Sequence, residues 1–390
     1  MKILIDGMGG DFAPDEIVKG AVKAAPEIDE TIVIIGPEAL IKKSLDDNGW
    51  KGSNIEIVDA TEVITNDESP AMAVKKKKDS TIVKGMGMIK SGEADVFLSG
   101  GSTGALLSAG LINLGRIRGI KRPAIAAWFP RCGRDGSTLL LDCGANVESK
   151  PEYLYQNGIM GSIFVKGITG NESPVVRLLN VGAEDGKGDD LHKDAFKMLE
   201  KSELNFKGNV EARDIIFGET DVVVTDGFSG NVFLKSSEGM SLAITGLLKE
   251  KLSESLLSKV GAALAKDKLR SLKSTFGYAD AGGAPILGLK GAVLKIHGNS
   301  KETEVYYAIH RAVDYVSNDI TGTIEEAILR SEAARKEHSI PGRIAETLST
   351  AGGQIRKMAD RSEKPRPQDL VDTTDIYEPF MEMDETEQEQ

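Results

Sequence analysis

Short apolar runs recur along the chain at Lys2–Asp6, Thr31–Gly36, Asn54–Val58, Asp95–Ser99, Ala124–Phe129, Thr138–Asp142, Val175–Val181, Asp221–Thr225 and Val293–His297. Their length and β-branched content predict buried strands. Helical periodicity fills most of the gaps, as in Asp15–Ala25, Pro70–Ser91 and Asp190–Lys201, where Leu191, Ala195, Met198 and Leu199 share one face. Strands alternating with helices predict an α/β fold whose mostly parallel sheet is covered on both sides. No internal repeat interrupts this order. Beyond about Arg330 the pattern decays among the breakers Pro341, Gly352, Gly353, Pro365 and Pro367. A folded body over 1–335 and a largely disordered extension over 336–390 are therefore expected.

The strands end in a characteristic way. Asp221–Thr225 runs into Asp226-Gly227-Phe228-Ser229-Gly230-Asn231 and then an apolar helix. Asp6–Asp11, Ser99–Gly104 and Asp142–Asn146 follow their own strands with similar polar, glycine-rich turns. Open α/β sheets place ligands at such strand ends, where free backbone N–H groups and helix N-termini favour anions. Each turn taken singly also reads as a tight connection with a capping side chain.

One segment departs from the alternation. Leu248, Leu252, Leu256, Val260 and Leu264 are spaced by four between residues 247 and 273, so they predict one helix face. Lys249, Lys251, Lys259, Lys266, Lys268, Arg270 and Lys273 dominate the other face. A surface helix packed on the core or across a dimer satisfies this pattern, and so does a protruding segment whose apolar stripe, including Leu257, touches an anionic membrane.

Composition narrows the class. The 390 residues suffice for a large core and two lobes, and the 43 glycines cluster at strand ends, as a cleft built from several loops requires. Net charge is −12, but nine acidic residues and no basic ones lie in 367–390. No basic domain is left to bind duplex nucleic acid. Cys132 and Cys143 lack metal-ligand spacing, which argues against zinc and a disulfide framework. No apolar run reaches transmembrane length, and the opening Met1–Ile5 reads as a strand rather than a signal peptide. A cytoplasmic protein is expected.

Longer motifs then carry a resemblance. Asp6–Asp11 followed by Ala13-Pro14, Lys77–Ser80, Ser102–Leu107, Arg122-Pro123, Leu141–Val147, Gly182–Gly188, Gly208–Glu211, Gly282–Pro285 and His297-Gly298 occur in order over about residues 1–330. Together they resemble the PlsX-type phosphate acyltransferases of bacterial phospholipid synthesis. The resemblance implies a three-layer αβα fold of the phosphate acetyltransferase and isocitrate dehydrogenase type. It also implies a homodimer, peripheral association with a membrane surface, and no cofactor or metal. The implied reaction transfers a fatty acyl group from acyl carrier protein to inorganic phosphate, and a glycerol-3-phosphate acyltransferase would consume the product. Two departures stand out. Ser102 occupies a position where family members commonly carry asparagine, so a hydroxyl replaces an amide, and the roughly 55 residues after Glu332 exceed the usual length.

Attack of phosphate on a thioester requires neither a strong base nor an enzyme nucleophile, because phosphate is anionic near neutrality and a thiolate leaves readily. The sequence contains no G-x-S-x-G elbow. Holding phosphate and stabilising the oxyanion remain. On this reading Lys187 and Asn231 are catalytic. Asp226 and Asp142 orient donors, unless they merely form turns, and His297 contacts phosphate or thiol, unless it too is a turn residue. Ser102, Thr103 and Gly104 offer a phosphate nest with Gly230 and Asn146 nearby. Asp6, Gly9, Gly10 and Asp11 line the acyl or pantetheine part of the cleft. They lack dinucleotide spacing and are followed by no P-loop lysine. Lys77 and Lys78 close a run of four lysines that is either a solvated face or a docking patch for an acidic carrier protein. A coenzyme A-dependent phosphotransacetylase, a nicotinamide-dependent dehydrogenase and a non-catalytic membrane scaffold are the competing readings.

Overall fold

A computed structural model describes residues 1–132, 136–269 and 282–335. The chain divides into two units, Met1–Ser331 and Glu332–Gln390, and only 332–335 of the second are described. The expected extension and the end of the basic stretch, Arg270 and Lys273, lie outside the described residues.

Strands β1 (Lys2–Asp6), β2 (Thr31–Gly36), β3 (Ile55–Asp59), β4 (Val96–Ser99), β5 (Ala124–Pro130) and β6 (Ser137–Leu141) occupy the first part of the chain. They are followed by β7 (Val176–Asn180), β8 (Phe206–Glu211), β9 (Val222–Val224), β10 (Ala284–Leu287) and β11 (Ala292–Lys295). All belong to one sheet ordered β3-β2-β1-β4-β11-β10-β5-β6-β9-β7-β8. Seven neighbouring pairs are parallel; the three antiparallel pairs, β11 with β10, β10 with β5, and β5 with β6, are consecutive at its centre. Three reversals in succession turn the polarity over, so β6, β9, β7 and β8 run opposite to β1, β2, β3, β4 and β11.

The helices are α1 (Asp15–Ala24), α2 (Glu38–Asp47), α3 (Pro70–Lys76), α4 (Thr81–Ser91), α5 (Thr103–Ala109), α6 (Pro151–Thr169), α7 (Asp190–Glu200), α8 (Gly227–Ser253), α9 (Leu256–Leu264) and α10 (Glu302–Ser317), with a further helix over 320–335. Helices cover both faces. Alternate residues of each strand enter different apolar clusters: Ile3, Ile5, Val96 and Leu98 join one, Leu4 and Phe97 the other. That is the two-residue period of a sheet buried on both sides.

Two helical expectations are corrected. The stretch over Pro70–Ser91 is two helices, because Ser80 caps α4 by accepting the Val83 N–H and ends the first helix at Lys76. The four-residue apolar spacing from Leu248 to Leu264 is likewise divided. Ser255 accepts the Ser258 N–H at 3.0 Å and starts α9 afresh, so Leu248 and Leu264 do not share one continuous helix.

Candidate active site

The turn after β6 is organised by Asp142. This carboxylate is 1% exposed. Its Oδ1 accepts the N–H groups of Ile125, Gly144 and Ala145 at 3.1, 3.1 and 2.9 Å, and its Oδ2 accepts Asn146 N and Nδ2, each at 2.9 Å. Burial pushes its pKa up while these donors pull it down. Five donors saturate the group, so Asp142 shapes the turn rather than presenting a free oxygen. Asn146 also ties the turn to the Pro123 carbonyl at 2.8 Å.

The start of α8 locks onto that turn. Asp226 accepts the Phe228 and Ser229 N–H groups at 3.0 and 2.9 Å, the cap its position before the helix calls for. A Cβ on Gly227 would strike the Asn146 carbonyl and sit 2.7 Å from Asp142 Oδ2. A Cβ on Gly230 would overlap the Asp142 carbonyl oxygen. These glycines allow helix and turn to approach. Asn231 is exposed, with its carboxamide oxygen 3.4 Å from where a Gly144 side chain would begin.

Lys187 arrives on the loop after β7. Asn180 Nδ2 donates to the Lys187 carbonyl at 3.1 Å, and Asn209 Nδ2 donates to the Glu184 carbonyl at 2.8 Å. The Lys187 side chain is exposed and makes no ion pair among the described residues. His192, in the first turn of α7, lies between this loop and α8. Its Nδ1 is 2.6 Å from Asp189 Oδ1, and its Nε2 is 3.8 Å from Asp226 Oδ2. Asp142, Asn146, Lys187, Asp226, Gly230 and Asn231 thus form one group.

The remaining turns form a second group on the first half of the sheet. Asp6, 1% exposed, accepts the Ser99 hydroxyl at 2.6 Å and the Met8 N–H at 3.1 Å, and its burial raises its pKa. Gly9 packs against this carboxylate: a Cβ there would lie 2.5 Å from Asp6 Oδ2 and 2.8 Å from Gly101 N. Gly10, at φ +121°, approaches the Gly298 carbonyl, which accepts the Asp11 N–H at 2.7 Å. Lys295 reaches the carbonyls of Gly100, at 3.2 Å, and Ile296. Its pKa falls to about 8, because burial outweighs the attraction of Asp6 and Asp11. Ser102 is buried as the N-cap of α5; Thr103 and His297 are exposed, the latter beside a weak contact from Asn299 N at 3.5 Å. Gly104 sits against Pro70.

Strand direction divides the turns into two groups. Asp6 and Ser99 end strands running one way, whereas Asp142 and Asp226 follow strands running the other, so the two groups stand on either side of the antiparallel centre of the sheet. Among the described residues no hydrogen bond or ion pair joins them. Helix α8 spans the gap, carrying Lys235 about 12 Å from its start into electrostatic range of both Lys295 and Cys143.

The other singled-out residues lie elsewhere. Lys77 binds the Val63 carbonyl and Glu68 Oε2, both at 2.7 Å, and is therefore committed to the fold; Lys75, Lys76 and Lys78 stay exposed. Leu256, Leu257, Val260 and Leu264 are 81%, 83%, 51% and 86% exposed on α9, and Leu252 is half-buried. A groove of about 590 Å³ runs beside α8, lined by Phe129, Phe217, Phe233, Met240, Ile244 and Leu248 among others. His192, Asn180, Asn209 and Lys295 escaped the sequence reading. A histidine three residues after a capping aspartate was their strongest signal. The rest look like ordinary strand residues.

The fold is that of an α/β protein built like the phosphotransacetylases. The crystal structure of a phosphotransacetylase from Streptococcus pyogenes matches with a TM-score of 0.56 at 17% identity, covering 81% of this chain and 94% of that one. The EutD phosphotransacetylase from Staphylococcus aureus matches with a TM-score of 0.54 at 16% identity, over 81% and 94%. Sequence relationship is more specific: the model of the fatty acid synthesis protein family matches residues 1–322, and the chain belongs to that family. A phosphate acyltransferase of Clostridioides difficile (strain 630) is 43% identical over 338 residues, 87% of this chain and 99% of its own length. One from Geobacillus sp. (strain WCH70) is 46% identical over 329 residues, 84% and 98% respectively.

Proposed function

We propose that the protein is a phosphate acyltransferase that moves a fatty acyl group from a carrier thioester to inorganic phosphate. Agreement over almost the whole length of relatives bearing that name carries this reading. The site supports its chemistry. A phosphate oxygen adds to the thioester carbonyl carbon to give a tetrahedral oxyanion, which collapses by breaking the C–S bond, and the released thiolate takes a proton from solvent. Lys187 offsets phosphate charge. The Asn231 carboxamide donates to the developing oxyanion, where one preorganised donor is worth about 3 kcal/mol. Asp142 and Asp226 hold the turns that aim these groups. Cys143 does not serve as nucleophile, because burial pushes its thiol well above the usual range.

The donor in this reading is acyl carrier protein rather than coenzyme A, and the groove beside α8, with its aromatic and aliphatic lining, takes the acyl chain. The exposed leucines of α9 rest on an anionic membrane surface, a second copy of the chain completes a homodimer, and a glycerol-3-phosphate acyltransferase uses the product. The test is to incubate full-length protein with phosphate and either palmitoyl-carrier protein or palmitoyl-CoA, trapping acyl phosphate with hydroxylamine. Hydroxamate should form faster from the carrier protein. Equal or faster formation from coenzyme A transfers the reading to a phosphotransacetylase, and no hydroxamate from either donor defeats it.

A further inference from the structure

We infer that His192 is a positioning residue that fixes the distance between Lys187 and Asn231, an inference that rests on the phosphate acyltransferase reading. The two reactive side chains come from different places. Lys187 sits on the loop after β7, and Asn231 sits in the first turn of α8. The imidazole touches what holds each of them. On one side, the Asp189 carboxylate accepts the His192 N–H at 3.0 Å and lies 2.6 Å from Nδ1, which pins both the ring and the start of α7. Gly188, next to Lys187 and at φ +92°, packs so closely that a Cβ would lie 2.8 Å from the His192 Cβ and 2.6 Å from Asn180 Oδ1. The loop thus rests on His192 and Asn180 together.

On the other side, Nε2 faces Asp226 Oδ2 at 3.8 Å, while Asp226 Oδ1 is taken by the Phe228 and Ser229 N–H groups. Asp226 is 7% exposed and the His192 side chain 16%, so bulk water screens this juncture little. Removing the ring keeps the Cβ packing under Gly188 and the backbone bond to Asp189. It loses the Nδ1 contact to Asp189 and the Nε2 approach to Asp226, the only side-chain link between the Lys187 loop and the first turn of α8 among the described residues. Small displacements of reacting groups are costly to rate.

The test uses His192→Ala and His192→Gln in the full chain, assayed with palmitoyl-carrier protein and phosphate, together with Lys187→Ala and the Lys187→Ala/His192→Ala pair. His192→Ala should lower kcat by about tenfold to 100-fold, with KM for the carrier protein within about threefold. His192→Gln, which keeps a side-chain donor, should recover most of the loss. In the Lys187→Ala background the same change should cost less than about threefold, because a misplaced lysine has already been removed. Thermal melts of each variant separate misplacement from unfolding. An unaltered kcat in His192→Ala overturns the inference, as does an equal loss in the Lys187→Ala background, or a loss that follows Tm and is not recovered by glutamine. Wild-type protein that makes no acyl phosphate would instead indict the functional reading on which the inference stands.

Discussion

Lys295 illustrates how burial changes a side chain's chemistry. Its ammonium is held near pKa 8 rather than 10.5 because it is desolvated against backbone carbonyls. A base whose pKa is lower in the folded state binds fewer protons there than in the unfolded chain, so its contribution to stability is complete above the unfolded value and is lost as pH falls through about 8. Relative to Lys295→Gln, the wild type should gain about 2 kcal/mol between about pH 7.5 and about pH 10, read from urea unfolding of both proteins. A parallel response of the two would show that the lysine is solvated. Asn231 belongs to a different category, since it is exposed and the proposed reaction gives it a role in rate rather than in folding. Asn231→Ala should lower kcat by about 10²–10³ without a matching fall in Tm, measured by initial rates of acyl phosphate formation. Retention of full kcat would remove it from the oxyanion site.

Helix α8 is an element whose two ends answer to different constraints. At its start, an added methyl at Gly230 meets the Asp142 carbonyl and Thr225 Cγ2, whereas Gly239 further along faces open space. Gly230→Ala should therefore cost about 1–3 kcal/mol and most of the activity. Gly239→Ala on the same helix should add about 0.5–1 kcal/mol, both followed by thermal melts. Equal effects at the two positions would mean that the turn yields. Midway, Ile244→Trp should shift the preferred acyl chain toward shorter lengths, seen by comparing kcat/KM for palmitoyl- and decanoyl-carrier protein; an unchanged ratio would place the chain outside the groove. The elements that escaped the sequence have physical reasons. Phe206-Lys207-Gly208-Asn209-Val210-Glu211 is half polar with an internal glycine, as an edge strand can be. Ala284–Leu287 is short and contains Pro285, which usually argues against a strand. Most of the nine apolar runs were legible because both faces of this sheet are buried there, whereas β3 at the edge showed through its alternation of apolar and polar residues. His192 was not, because its role depends on Asp226, which lies 34 positions later in the chain.

At the scale of the molecule, the apolar tip and the chemistry are well separated. None of the α8 residues beyond Leu234 is buried, and α9 presents Leu256 and Leu257 almost fully to solvent. No helix among the described residues is long and apolar enough to cross a membrane. Leu256→Glu combined with Leu257→Glu should abolish cosedimentation with anionic vesicles while leaving the rate on soluble substrates within about twofold, since neither side chain nears the Asn231 turn. Undiminished sedimentation would assign these leucines to another contact.

The seam where the sheet reverses direction has a mechanical consequence. Strand β10 contributes two paired residues to β11 and two to β5, against five pairs between β1 and β2 and five between β5 and β6. The sheet therefore has a narrow waist, and bending there strains the fewest ladder bonds. Because one cluster of glycine turns stands on each side of that waist, flexing it would change the gap between Lys295 and Lys235 while leaving the interior of each cluster rigid.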